Sequence, residues 1–111
     1  MIYKSFDIVV VPFPFTDKSS EKRRPAVVLS SLPPHHTILS MITSTNLEYW
    51  KSDMNIEHWQ EAGLTISSRI RFKIFTLDQT LILKILGKLH TQDQSTLSKK
   101  LKNIFPACKV S

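Results

Sequence analysis

The 111-residue sequence has a single cysteine, Cys108, so an internal disulfide is excluded. No CxxC or clustered His/Cys spacing is present, which argues against a structural zinc site. No apolar run approaches the roughly 18 residues that would span a bilayer. The N-terminus lacks a basic region followed by an apolar stretch and a small-residue cleavage site. These absences predict neither membrane insertion nor secretion, and a reducing cytoplasm as the setting. Internal repeats and low-complexity segments are missing too, and a chain this short has room for one domain, residues 1–111, around one core.

Acidic residues are scarce where basic ones are dense. Lys and Arg total 15 against 9 Asp and Glu, a net charge of +6 that suits a polyanionic partner such as nucleic acid. From Met1 to Ile66 six basic residues face seven acidic ones; from Ser67 onward nine basic residues face only Asp78 and Asp93. The first part has one basic knot, Lys22-Arg23-Arg24.

What is present reads mainly as strands. Phe6–Val11 is a β-branched run, and Pro12-Phe13-Pro14-Phe15 is expected to end it because proline cannot donate to a ladder. Thr16–Arg24 reads as an exposed loop, Pro25–Ser30 as a second strand and Thr37–Ser44 as a third. Thr45–Asn55 is a polar excursion, and Ile56–Ala62 is expected to make one or two helical turns stopped by Gly63.

Ser67–Phe75 alternates most clearly, with Ile70, Phe72 and Ile74 facing a core and Arg69, Arg71 and Lys73 forming a cationic stripe. Leu81–Leu89 reads as a further strand, with Gly87 marking a bulge. Thr91 and Gln94 are spaced as a capping box for a terminal helix that carries Leu97, Leu101, Ile104 and Phe105 on one side and stops at Pro106. The expected architecture is mainly β with α (α+β): about five strands in a small, highly curved barrel or half-barrel with a C-terminal helix.

Several side chains suit phosphate chemistry. Arg23 and Arg24 stand before a strand that opens with proline, and a guanidinium holds two oxygens of one phosphate at once. A solubilising loop charge explains the knot as well. The Arg69, Arg71, Lys73 stripe spaces positive charge at about 6 to 7 Å, which can track a nucleic-acid backbone, although a solvated outer sheet face has the same pattern. Phe13, Phe15, Tyr49, Trp50 and Trp59 lie in or near loops where bases could stack. His35, His36, His58 and His90 invite an acid–base reading, but nothing in the sequence brings two of them together.

The order FDIVVVPFPFTD (residues 6–17), KRRPAVVLS (residues 22–30) and MITS (residues 41–44) resembles the MazF/PemK toxins of type II toxin–antitoxin systems. Ala62-Gly63-Leu64, Phe75-Thr76-Leu77-Asp78 and Leu86-Gly87-Lys88-Leu89 extend the likeness from about Tyr3 to Phe105. The resemblance implies an SH3-like barrel, a homodimer, a cognate antitoxin, and a metal-independent endoribonuclease without cofactor that cuts single-stranded mRNA. It assigns the reaction to Arg24 and Thr43, with Ser44 replacing Thr43 in part or binding substrate; Lys22, Arg23, Arg69 and Arg71 are expected to bind substrate on their charge and placement. Two departures stand out: Phe6 occupies a position that is commonly glycine, and residues 69–73 lack the acidic or amide residue that some relatives carry. A catalytically silent RNA-binding barrel and a gyrase-binding toxin are the alternatives of the same fold.

Overall fold

The computed structural model describes residues 3–13, 22–46 and 48–106. Strands β1 (Asp7–Phe13), β2 (Lys22–Leu32), β3 (His36–Ser44), β4 (Met54–Asn55), β5 (Ser68–Asp78) and β6 (Lys84–Lys88) form one antiparallel sheet in the order β4-β5-β3-β2-β1-β6. A single turn of 3-10 helix, Gln79–Leu81, leads into β6, and helix α1 spans Thr91–Ile104. The expected mainly-β architecture with one C-terminal helix is what the chain adopts, with one more strand than expected, the two-residue β4. No helix among the described residues is long and apolar enough to cross a membrane.

The central strands are apolar at successive positions because both faces of the sheet are covered. On one face Ile8, Val27, Ile42 and Ile70 pack with Leu64, Leu89 and Leu97 of the flanking loop and helix. On the other, Val9, Val11, Ala26, Val28 and Leu39 share a cluster with Leu77 and Ile82. Residues from β1 and β5, which lie on either side of the β2–β3 pair, both reach that second cluster, so the sheet curls on itself. Bulges that slip the register at Ile8/Val9, Val28/Ser30 and Ser40/Met41 supply the bend.

Several local expectations need correction. Pro12 does not end β1; it pairs with Arg23 inside the ladder. The Val10 carbonyl accepts from Leu83, on the β6 side, so Pro12, two residues on, turns its missing donor to that side as well. Pairing with β6 has already stopped at Val10↔Lys84, so no bond is lost.

Lys22–Arg24 are strand rather than loop, because β1 extends far enough to pair them. The rest of that expected loop, Thr16–Glu21, lies outside the described residues, as do Pro14, Phe15 and Cys108. Residues 56–62 make successive turns instead of a helix: Ala62 donates to the His58 carbonyl, Gly63 to Gln60 and Leu64 to Trp59, so no regular repeat is kept, while the amides of Glu57 and His58 bond the buried Asp93 carboxylate at 3.1 and 2.9 Å.

In β5 the period of two fails at its middle. Ser40 pairs with Ile74 but Met41 with Arg71, leaving Phe72 and Lys73 looped out and only Ile70 of the three expected core residues fully buried. Asp78 accepts from the amide and hydroxyl of Thr80 at 2.9 Å each and turns the chain into 3-10 helix, which delays β6 to Lys84. The helix cap is His90, whose Nδ1 accepts from the Gln92 amide at 3.1 Å, not the Thr91/Gln94 box; Gln94 instead donates to the Leu89 carbonyl. Ile104 and Phe105 of the expected apolar stripe are exposed.

The only two glycines of the chain meet each other's segments. Gly63 has φ +91° and lies against the Leu86 carbonyl, while a Cβ on Gly87 would stand 2.5 Å from the Ala62 carbonyl oxygen. Phe6, in the position the resembled family gives to glycine, has φ 76°; its amide bonds the Val28 carbonyl at 2.7 Å and its carbonyl accepts from Leu89 at 2.9 Å. Bonds on both sides hold a non-glycine residue in the left-handed region.

Candidate active site

The site begins with Pro25. Because Val10 bonds toward β6, its cross-strand partner Pro25 faces the other way, toward β3. A proline has no N–H to give, so the β2–β3 ladder stops at Ala26↔Met41. Both strands continue beyond that pair, β2 back to Lys22 and β3 on to Ser44, without being paired to each other. Carrying the register past its last rung would set Arg24 opposite Thr43.

A cavity of about 720 Å³ opens at this fork. Its cationic wall is Lys22, Arg23 and Arg24, its hydroxyl wall Thr43, Ser44 and Ser68, and its far side Gly63–Ile66 with Leu83, Lys84 and Leu86. Thr43 is buried, Arg24 and Ser44 are half-buried, and Lys22 and Arg23 are exposed. The Ser44 hydroxyl accepts from the Asn46 amide at 3.0 Å, which holds the turn leaving β3. Arrays of cations and hydroxyl donors in a concave, partly apolar setting suit an anion such as a phosphodiester, because the charged groups are less screened there than on an open surface. No histidine, carboxylate or aromatic residue is among the described residues lining the cavity.

Five of the seven residues singled out from the sequence, Lys22, Arg23, Arg24, Thr43 and Ser44, therefore share one cavity. Arg69 and Arg71 do not line it, and the open cationic stripe expected for them is corrected. Their guanidiniums are drawn onto the buried carboxylate of Asp53, at 3.1 Å from Arg69 Nε and 2.9 Å from an Arg71 terminal nitrogen. Burial pushes the Asp53 carboxyl up, but the Arg71 hydrogen bond, the Trp50 amide and the two guanidinium charges outweigh it and hold it below the usual carboxylate range. Arg71 also reaches the Glu48 carbonyl. Asp53 was not picked out by sequence reasoning; the available signal was that two arginines on one strand face need a counter-charge.

The histidines lie elsewhere. His36 and Thr43 sit at opposite ends of β3, roughly 23 Å apart at strand rise, so His35 and His36 are remote from the fork. His58 and His90 are brought together, contrary to the sequence reading, with ring centroids 3.9 Å apart and Glu61 facing both. Hydrogen bonding to Gln92 raises the His58 pKa against the effect of burial, and Glu61 and the Asp93 charge raise it further. His58, Glu61 and His90 are spaced to hold a metal ion, as are His35, His36 and Asp78. In the first group the ring atoms are already engaged: His90 Nδ1 caps α1 and both His58 nitrogens face acceptors. That arrangement favours a protonated His58 rather than a ligand.

A family model described as a PemK-like, MazF-like toxin of type II toxin–antitoxin systems matches residues 4–105. The chain belongs to this family. Membership gives this toxin an antitoxin partner. A search of curated proteins returns no match.

Proposed function

We propose that this toxin is a metal-independent endoribonuclease that cuts single-stranded mRNA at the β2–β3 fork. The observation that carries the reading is that Arg24 and Thr43, on strands whose ladder Pro25 interrupts, line the same cavity. In the reaction a ribose 2′-hydroxyl attacks the adjacent phosphorus and the P–O5′ bond breaks. The proton lost by the 2′-oxygen is balanced by one gained at the departing 5′-oxygen, leaving a 2′,3′-cyclic phosphate and a 5′-hydroxyl.

Arg24 stabilises the charge that builds on the non-bridging phosphate oxygens, and Thr43 hydrogen-bonds the same phosphate or orients the attacking hydroxyl. Lys22, Arg23 and Ser44 hold the flanking backbone, and Lys84 adds a cation from the opposite wall. With neither imidazole nor carboxylate among the described lining residues, electrostatic stabilisation carries the larger share of the rate. Arg69 and Arg71 act indirectly, through Asp53 and the loop it anchors.

The cognate antitoxin acts by covering this basic cavity with an acidic segment, in the cytoplasm where mRNA is found. Leu81 and Leu83, exposed just before the outer strand β6, and Ile85, exposed within it, support self-association into a homodimer. The test is incubation of the purified toxin with RNA in excess EDTA, with end-group analysis of the products. Fragments ending in cyclic phosphate support the proposal; intact but retarded RNA favours a silent binding barrel. Arg24→Ala should lower the rate by on the order of a hundredfold while leaving the fold intact. Full activity in that variant would remove Arg24 from the mechanism.

A further inference from the structure

A polynucleotide offers flat bases as well as phosphates, and no aromatic side chain is among the described residues lining the cavity. Two rings stand beside it. Thr43 of β3 pairs directly with Arg69 of β5, so both side chains lie on one face of the sheet. The Arg69 guanidinium carbon is 5.2 Å from the centre of the Tyr49 ring, and that of Arg71 is 4.2 Å from the centre of the Trp50 ring. Lys73 approaches the same Trp50 ring at 5.1 Å.

Building on the nuclease reading, we propose that Tyr49 and Trp50 form a stacking platform for nucleobases of the single-stranded RNA whose scissile linkage lies at the Arg24–Thr43 fork. Tyr49 is 59% exposed and Trp50 37%, although each has cations against it, so both rings keep surface for a ligand. A cation on one face of an aromatic ring draws electron density from the other, which strengthens stacking with an electron-rich base. Set against the carboxylates of Asp53 and Glu48, Arg69, Arg71 and Lys73 leave a positive excess under the two rings, which favours a polyanion over a basic partner.

The platform is preorganised. Asp53 holds both arginines, accepts from the Trp50 amide at 3.0 Å and returns its own amide to the Trp50 carbonyl at 2.8 Å. The Tyr49 hydroxyl reaches the Lys51 carbonyl at 3.5 Å. A base arriving here meets rings already fixed, so little ordering entropy opposes binding. The buried ion network therefore serves recognition: it sets two aromatic faces one strand away from the reactive hydroxyl.

Binding of a 2′-O-methyl RNA oligonucleotide pool, which cannot undergo 2′-hydroxyl attack, tests this by fluorescence anisotropy on Tyr49→Ala, Tyr49→Phe and Trp50→Phe. Base stacking contributes about 1–3 kcal/mol, so Tyr49→Ala should weaken binding roughly 5- to 150-fold. Tyr49→Phe and Trp50→Phe, which keep a ring, should bind like the parent, and an abasic oligonucleotide, which loses stacking on both rings, should bind the parent at least as weakly as Tyr49→Ala binds the intact pool. Unchanged affinity in Tyr49→Ala, equal affinity for the abasic strand, or loss of binding only to an acidic peptide would overturn the platform. Cleavage of unmodified RNA is read in parallel. A parent protein that binds through Tyr49 but never cuts refutes the nuclease and leaves the platform standing; one that cuts with Tyr49 irrelevant does the reverse.

Discussion

Pro25→Ala restores an N–H aimed at β3, and its consequence can be worked from the ladder. The new amide finds the Ile42 carbonyl in register, adding one rung beyond Ala26↔Met41. A backbone hydrogen bond contributes about 0.5–1.5 kcal/mol. Against it, the unfolded chain regains freedom that proline denied it, which costs about 0.4–1 kcal/mol. The two nearly cancel, so thermal unfolding should shift by no more than about 5 °C. Activity should respond far more. Closing the fork draws Arg24 toward Thr43 and narrows the space for a phosphodiester, and a misplacement of about 1 Å in such a site costs on the order of a hundredfold in rate. Amide hydrogen exchange supplies a readout independent of catalysis: the residue-25 amide should be protected to the same degree as its neighbours in β2. An unprotected amide together with full activity would refute the account of proline as the element that opens the site.

Other perturbations separate the supporting parts. Gly63→Ala forces a Cβ into the Leu86 carbonyl at a left-handed φ and should destabilise the fold by at least about 1–3 kcal/mol, read as a lower denaturant midpoint. Asp53→Asn removes the carboxylate shared by the buried Arg69 and the half-buried Arg71 and should cost on the order of 3 kcal/mol near neutral pH. Since the Asp53 pKa is depressed in the fold, its contribution is complete above the ordinary carboxylate range and lost as pH falls through the lowered value; the gap between parent and variant should close in acid. His58 is the opposite case. Its raised pKa makes its contribution fullest below the ordinary histidine value and loses it as pH rises through the folded one, so His58→Ala should matter less at alkaline pH, measured by exchange in the first turn of α1. A constant difference across that range would exclude His58 from tethering the helix.

Much of this architecture was legible because apolar β-branched runs and prolines are local signals. Ile8–Val11, Ala26–Leu29 and Thr37–Thr43 could be placed on strands from their composition, and the ordered family pattern singled out Arg24 and Thr43, although composition put Arg24 in a loop. What failed depended on partners distant in sequence. The bulge that loops out Phe72 and Lys73 arises from the pairing of β5 with β3, and a perfect alternation in sequence conceals it. The turns at residues 56–62 bond at three different spacings and are anchored by Asp93, more than thirty residues away, which holds the amides of Glu57 and His58. Asp53 looked like one acid among several in a polar stretch until tertiary contact set it under Arg69 and Arg71.

The glycine-to-glycine contact makes the two sides of the cleft mechanically unequal. Main chain rests on main chain where Ala62-Gly63 meets Leu86-Gly87, with no side chain between them to change rotamer. The wall built from Gly63–Ile66 and β6 is thus the stiff jaw, and any widening to admit a substrate, or narrowing around one, falls to the ends of β2 and β3, which are held on their outer sides by β1 and β5 but not to each other.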